Sequence, residues 1–138
     1  MTRKYLFGAL VLALVAPVTL IAGDFDGSKP LICAVIHATE AGAEEAKCLS
    51  GPPWMVSLPV FIEIDFEAKK ATTTRQHEGE RVSEIELVDH LDGNRMSLQG
   101  TDGEHSWSMV ISEQTGSMTL AVAGEEVGFL AFGACTAR

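Results

Sequence analysis

From Pro59 onward the chain is punctuated by turn pairs, Glu78-Gly79, Asp92-Gly93, Asp102-Gly103, Thr115-Gly116 and Gly124 to Glu126, with segments between them that alternate apolar and polar residues. Glycine at such junctions supplies the positive φ of tight hairpins, and a period of two sends successive side chains to opposite faces. The two signals together specify an antiparallel meander. If each turn is tight, paired residues keep a constant index sum across it. That register puts Val60, Ile62, Ile64, Phe66, Ile85, Leu87, Met96, Leu98, Trp107, Met109, Ile111, Met118, Leu120 and Val122 on one face. The opposite face receives Glu63, Asp65, Glu67, Lys69, Thr73, Glu84, Glu86, Arg95, Ser97 and Gln99, as in a sheet with one wet side. Gly93, Gly100 and Gly103 are read as hairpin glycines.

The last strand departs from this pattern. Val127 to Cys135 is apolar on both faces, so it is expected to be covered on both. Leu130 and Phe132 are assigned to the main core, leaving Ala131, Gly133 and Cys135 as a surface of small side chains that a helix can approach. The helix candidate is Leu31 to Lys47. Ser28 can cap it and Pro30 fits its first turn, while Leu31, Ile32, Val35, Ile36 and Thr39 recur at one-, three- and four-residue steps. Because Ile32, Val35 and Ile36 are β-branched, a strand over 31–38 competes with it. Gly51-Pro52-Pro53 ends the segment. The expected fold is α+β, mainly β, with a helix over about 30–47 packed on a curled or barrel-like antiparallel meander of about six to seven strands over about 56–136.

Arg3 and Lys4 precede an uncharged stretch from Tyr5 to Ala22, and polar residues follow at once, which is the pattern of a secretory signal peptide. Cleavage after Ala22 removes 22 of the 138 residues, leaving 116 in a single domain over 23–138. Losing Arg3 and Lys4 takes the formal net charge from −9 to −11. An uncleaved membrane anchor is the competing reading, since the stretch is near the minimum length that spans a bilayer. The expected location is the periplasm or the exterior, with no stable membrane anchor after cleavage.

An oxidising compartment favours a disulfide among the three cysteines. On a continuous helix Cys33 and Cys48 would stand about 22 Å apart, beyond the roughly 7 Å reach of a bridge. Cys33 with Cys135 is therefore the expected pair. Cys48 is then the odd thiol, in a loop after Glu44, Glu45 and Lys47, where a leftover or dimer-forming thiol is expected rather than a redox-active one.

Ten basic against nineteen acidic residues, with no Lys/Arg run, give no footprint for a nucleic-acid backbone. No G-x-S-x-G, S-x-x-K or Gly-rich phosphate loop occurs. Cys33-x-x-x-His37 is a lone pair of metal-ligand residues and lacks the further ligands a site needs, so no metal or cofactor is assigned. His77, His90 and His105 fall at turns and read as solvated. The surface feature that stands out is acidic: Glu63, Asp65, Glu67, Glu84 and Glu86 project from one sheet face, where a basic protein could neutralise them, although a solvated face needs no partner. Trp54, in the loop Gly51 to Met55, is a candidate exposed anchor for a partner.

The order of a Phe25-Asp26-Gly27-Ser28-Lys29-Pro30 opening, a Cys33 segment, Leu58-Pro59-Val60-Phe61 and a closing Phe132-Gly133-Ala134-Cys135-Thr136 resembles small exported bacterial proteins of unknown function. That resemblance implies export and compactness, and no activity. Three functions follow in order of fit: a non-enzymatic binding or inhibitory module for a basic protein, a calycin-like carrier of a small apolar ligand held near Trp107, Met109 and Met118, and a metal-dependent or hydrolytic enzyme. An open cavity inside the sheet would favour the second over the first, and a filled core would oppose it.

Overall fold

The computed structural model describes residues 24–43, 48–75 and 79–138. The signal-peptide reading and His77 fall outside these residues.

Nine strands form one antiparallel sheet: β1 (Leu31–Gly42), β2 (Cys48–Gly51), β3 (Phe61–Asp65), β4 (Lys70–Arg75), β5 (Gly79–Leu91), β6 (Arg95–Thr101), β7 (Ser106–Ser112), β8 (Ser117–Ala123) and β9 (Val127–Ala137). From β3 to β9 each strand pairs with the next, and β9 pairs along nearly its whole length with β1, which closes an eight-stranded barrel. β2 is the extra strand. β1 pairs with β3 through Leu31 to Ala34 and with β2 through Ala38 to Ala41, on the same edge. β2 and β3 thus share one barrel position, interrupted by an excursion over 52–60.

The expected helix is not there. Residues 31–42 of it are β1, residues 44–47 lie outside the described residues, and the described helical structure is confined to one 3-10 turn, Pro53–Val56, within the excursion. The strand wins because Leu31, Cys33 and Val35 are buried alternately with less buried Ile32 and Ala34, so period two places apolar side chains inward, and β-branched Ile32, Val35 and Ile36 are residue types that suit a strand. A bulge between Val35 and His37 then turns Ile36 outward, where it is exposed.

Closing the sheet also reverses the assignment of β9. Ala131 and Cys135 point into the barrel, while Leu130 and Phe132 are exposed on its outside. An eight-stranded barrel has just enough interior for side chains to fill. The larger residues of β1, β3, β6 and β7 occupy that space, so the strand facing them contributes small ones. Leu87 is likewise outside, at 47% exposure. A bulge lets Ile85 pair with Gly100 and Leu87 with Gln99, which moves Leu87 to the outward face that Gln99 occupies. Val60, assigned to the core, is exposed in the excursion, and Thr73, assigned to the polar face, turns inward opposite Ile62.

Cys33 and Cys135 form a disulfide. The pairing agrees with the expectation, but its reason differs: the two residues lie directly opposite one another on β1 and β9, so the bond fastens the seam that closes the barrel. It spans 102 residues, for which the chain-entropy model gives up to about 4.7 kcal/mol. Cys48 is a free, exposed cysteine on β2.

Leu31, Ile64, Met96, Leu98 and Ile111 are completely buried at the end of the barrel where the chain enters. Phe25 and Phe66 pack against this core, and the Arg138 backbone N–H donates to the Pro30 carbonyl, tying the last residue to the segment just before β1. No helix among the described residues is long and apolar enough to cross a membrane.

Candidate functional site

The opposite end of the barrel is open. There the inward residues of β3 to β5 become progressively polar: Ile62 stands opposite Thr73, Thr73 opposite Arg81, and Ala71 opposite Ser83. On the far wall the corresponding row is Gly100, Trp107, Val122 and Phe129, each directly opposite the next. Between these walls is a cavity of about 90 Å³, floored by Met109 and Leu120 and bordered by Leu58 and Pro59 of the excursion and by Asp102 and His105 of the β6–β7 loop.

The polar rim is an organised cluster. The Arg81 guanidinium donates from Nη1 to Asp102 Oδ2 at 3.2 Å, and the His105 backbone N–H donates to Asp102 Oδ1 at 3.1 Å. The Asp102 side chain is only 14% exposed, so two donors, one of them cationic, hold it where solvent largely cannot. His105 Nδ1 is 3.3 Å from Asp102 Oδ1, in a geometry that makes no hydrogen bond. Gly124 leaves room for the His105 ring: a β-carbon there would stand 2.8 Å from His105 Cδ2.

Trp107 is 9% exposed, and its buried indole Nε1–H has no acceptor among the described residues. Gly100, read from sequence as a hairpin glycine, is instead a strand residue that seats this indole. A β-carbon on it would lie 2.6 Å from Trp107 Cζ2 and 2.2 Å from the Glu84 carbonyl oxygen. Bare backbone is required at that point.

The acidic residues are where the sequence placed them, outside β3 to β5, yet they are held by neighbours. Glu63 pairs with Arg138. Asp65 Oδ1 accepts from the Ala68 N–H at 2.8 Å, and Glu86 Oε1 accepts from the Thr101 hydroxyl at 2.7 Å. Lys70 on β4 stands directly opposite both Asp65 and Glu84. Glu67 is exposed in the β3–β4 turn, and Trp54, 71% exposed, projects from the 3-10 turn of the excursion.

The remaining candidates separate. Cys33 is buried and bonded to Cys135, whereas His37 is exposed, so the two share no metal site. Among the described residues no group of three or more His, Cys, Asp or Glu is placed to hold a metal ion. His90 bonds to Glu113, with Nδ1 and Oε1 2.6 Å apart. His37 Nε2 and Thr39 Oγ1 each lie 2.9 Å from Ser50 Oγ, a histidine within reach of a hydroxyl, but these residues lie on the exposed side of β1 and β2 outside the cavity. Sequence reading missed Thr73, Arg81, Ser83, Asp102 and His105 as a set. The available signal was a run of polar residues at inward positions of two adjacent strands, which only the closed register reveals.

Comparison with family models, with curated proteins and with solved structures found no match to this chain.

Proposed function

We propose that the protein is a small exported binding module, without catalysis of its own, that holds a compact and largely apolar molecule in the barrel mouth as a calycin-like carrier does. The observation that carries this reading is the cavity itself, lined by apolar walls and a few polar groups, Thr73, Arg81, Ser83, Asp102 and His105. That composition is typical of small-molecule sites. A protein needing only a stable core would gain from filling the space, because each missing contact costs dispersion energy. The disulfide supports export, since such bonds persist in oxidising compartments.

The test is an amide and indole NMR titration with five-carbon compounds. Shifts confined to Thr73, Ser83, Trp107, Leu120 and Phe129, with Leu31, Met96 and Ile111 unmoved, support the reading. Shifts scattered over the surface, or none, contradict it.

Recognition of a basic protein through Glu63, Asp65, Glu67, Glu84, Glu86 and Trp54 is the second reading. Exposure of those residues and the formal net charge of −9 favour it. It has less behind it, because Glu63, Asp65, Glu84 and Glu86 already face partners within the chain. Neutralising Glu63, Asp65 and Glu67 should abolish low-salt capture of a basic protein such as lysozyme. Unchanged capture would leave them a solvated face.

A further inference from the structure

We infer that a second copy of this chain docks on the outer wall of the barrel over β7, β8, β9 and β1, where Ile36, Leu130 and Phe132 are exposed together with Phe61 of β3 at the border. That wall is the side of the barrel, apart from the mouth, and its role does not depend on a ligand there.

Charge divides the barrel wall in two. Each of β3 to β6 carries charged residues, the carboxylates described above among them. Across β7, β8, β9 and β1 the only Asp, Glu, Lys or Arg is Glu40. Glu40 stands opposite Leu49 and Phe129, and Phe129 lines the cavity, so this carboxylate belongs to the inward row at the rim. The outer wall of the four strands therefore has no carboxylate, Lys or Arg. His37, which does lie on it, has Nε2 2.9 Å from Ser50 Oγ.

Register gathers the apolar residues into one patch. Phe132 stands opposite His37 of β1 and Thr119 of β8, and Ile36 emerges from the bulge beside that row. Leu130 follows two residues along β9, opposite Thr39 and Ala121. Phe61 stands opposite Ala34, two residues before Ile36. Ile36 is 66% exposed and Phe132 44%, with small Ala34 and Ala121 between the larger side chains. A contiguous exposed apolar patch of this kind marks an interaction surface.

Charge and shape select the partner. A basic protein would gain more on the carboxylates of β3 to β5. Membrane surfaces are held by Lys and Arg flanking apolar residues, and this wall has neither, on a chain of formal net charge −9. The wall of a closed barrel is convex, whereas small-molecule sites are concave. What fits is another uncharged apolar sheet, and a second copy brings one at equal concentration. Two antiparallel sheets pack face to face with strands aligned within about 30°, and a two-fold axis sets each patch against its own mate. The acidic faces then point apart across two barrels, each about 10 Å thick, farther than the Debye length of about 8 Å at physiological salt.

Size sets the strength. Four strands about 4.8 Å apart and about seven residues long give roughly 450 Å² per copy in projection. A standard interface buries about 800 Å² per partner, so this dimer is reversible, with micromolar or weaker affinity.

The test is sedimentation equilibrium of the protein carrying Cys48→Ser, which removes the exposed thiol as a covalent route. A monomer–dimer equilibrium is expected between about 5 and about 500 µM. Ile36→Asp puts two like charges into the two-fold contact and should weaken the dimer at least about tenfold. Val82→Asp charges an exposed apolar residue on β5 instead, and should change it less than about twofold. Raising salt from about 0.05 to about 0.5 M should leave the dimer unchanged or tighten it, because repulsion between acidic chains is screened. In the Cys48→Ser protein, dilution should move the amide resonances of Ala34, Leu130 and Phe132 and not those of Glu63 or Glu84, which keeps the test intact if Ile36→Asp folds poorly. A monomer over the whole range would overturn the inference, as would a dimer that salt dissolves or that Val82→Asp weakens as much as Ile36→Asp. A monomer that sediments with phosphatidylcholine vesicles, and ceases to with Ile36→Asp, would overturn the second copy and give the wall to lipid.

Discussion

At the end of the barrel where the chain enters, Leu31, Ile64, Met96, Leu98 and Ile111 interlock with no solvent exposure to speak of, whereas at the far end the same sheet turns Thr73, Arg81 and Ser83 inward around a cavity. Both ends obey the same register and are closed by the same β1–β9 pairing. They differ in side-chain volume and in chain connection. The filled end is finished by Phe25 and Phe66, while the open end is bordered by the 52–60 excursion and the β6–β7 loop. A barrel can thus concentrate its stability at one end and tolerate polar, imperfectly packed residues at the other, where loops carry recognition.

Four perturbations sharpen this contrast. The largest expected effect is on the seam that both ends share. Replacing Cys33 and Cys135 together with Ala should lower stability by about 2–5 kcal/mol in urea unfolding, and reducing agent should reproduce the loss in the native chain. Next, Leu98→Ala at the filled end should cost about 2–5 kcal/mol, whereas Leu58→Ala at the mouth should cost clearly less because its side chain is only partly buried. Equal costs would break the comparison. Gly100→Ala should cost about 1–3 kcal/mol through overpacking and shift Trp107 emission, because the new methyl displaces the indole or the Glu84 carbonyl.

The smallest effect concerns pH and lies at the chain-entry end. Hydrogen bonds from Ser28, side chain first and then backbone, hold the Asp26 carboxyl below its ordinary value near 3.8. A depressed folded-state pKa means stabilisation that is present above the unfolded value and lost as pH falls through the folded one. Asp26 is exposed, so screening reduces the effect. Asp26→Asn should change stability at neutral pH by less than about 0.5 kcal/mol and remove a small part of the acid sensitivity below pH 4.

Much of the meander was legible because its signals are local. Gly79, Gly93, Gly103 and Gly116 have positive φ at the turns their sequence marks, and Ile62, Ile64, Met96, Leu98, Trp107, Met109 and Ile111 are inside as alternation requires. What stayed hidden depends on closure. Leu31 to Thr39 satisfies helical and strand periods alike, and β9 decides between them by supplying a partner edge. The inward turn of Ala131 and the outward turn of Leu130 follow from which strand faces them. The bulge that exposes Leu87 leaves no mark in a two-residue period. The mouth was the least legible part, since Arg81 and Asp102 meet only when β5 and the β6–β7 loop are brought together.

The central claim, one filled end and one ligand-accepting end, is tested most directly by a crystal structure of the protein soaked with 2-pentanone. Density for the ketone is expected between Thr73, Trp107 and Leu120, and none among Leu31, Met96 and Ile111. A mouth shut by Leu58 and Pro59 with no ketone between its walls would contradict the claim.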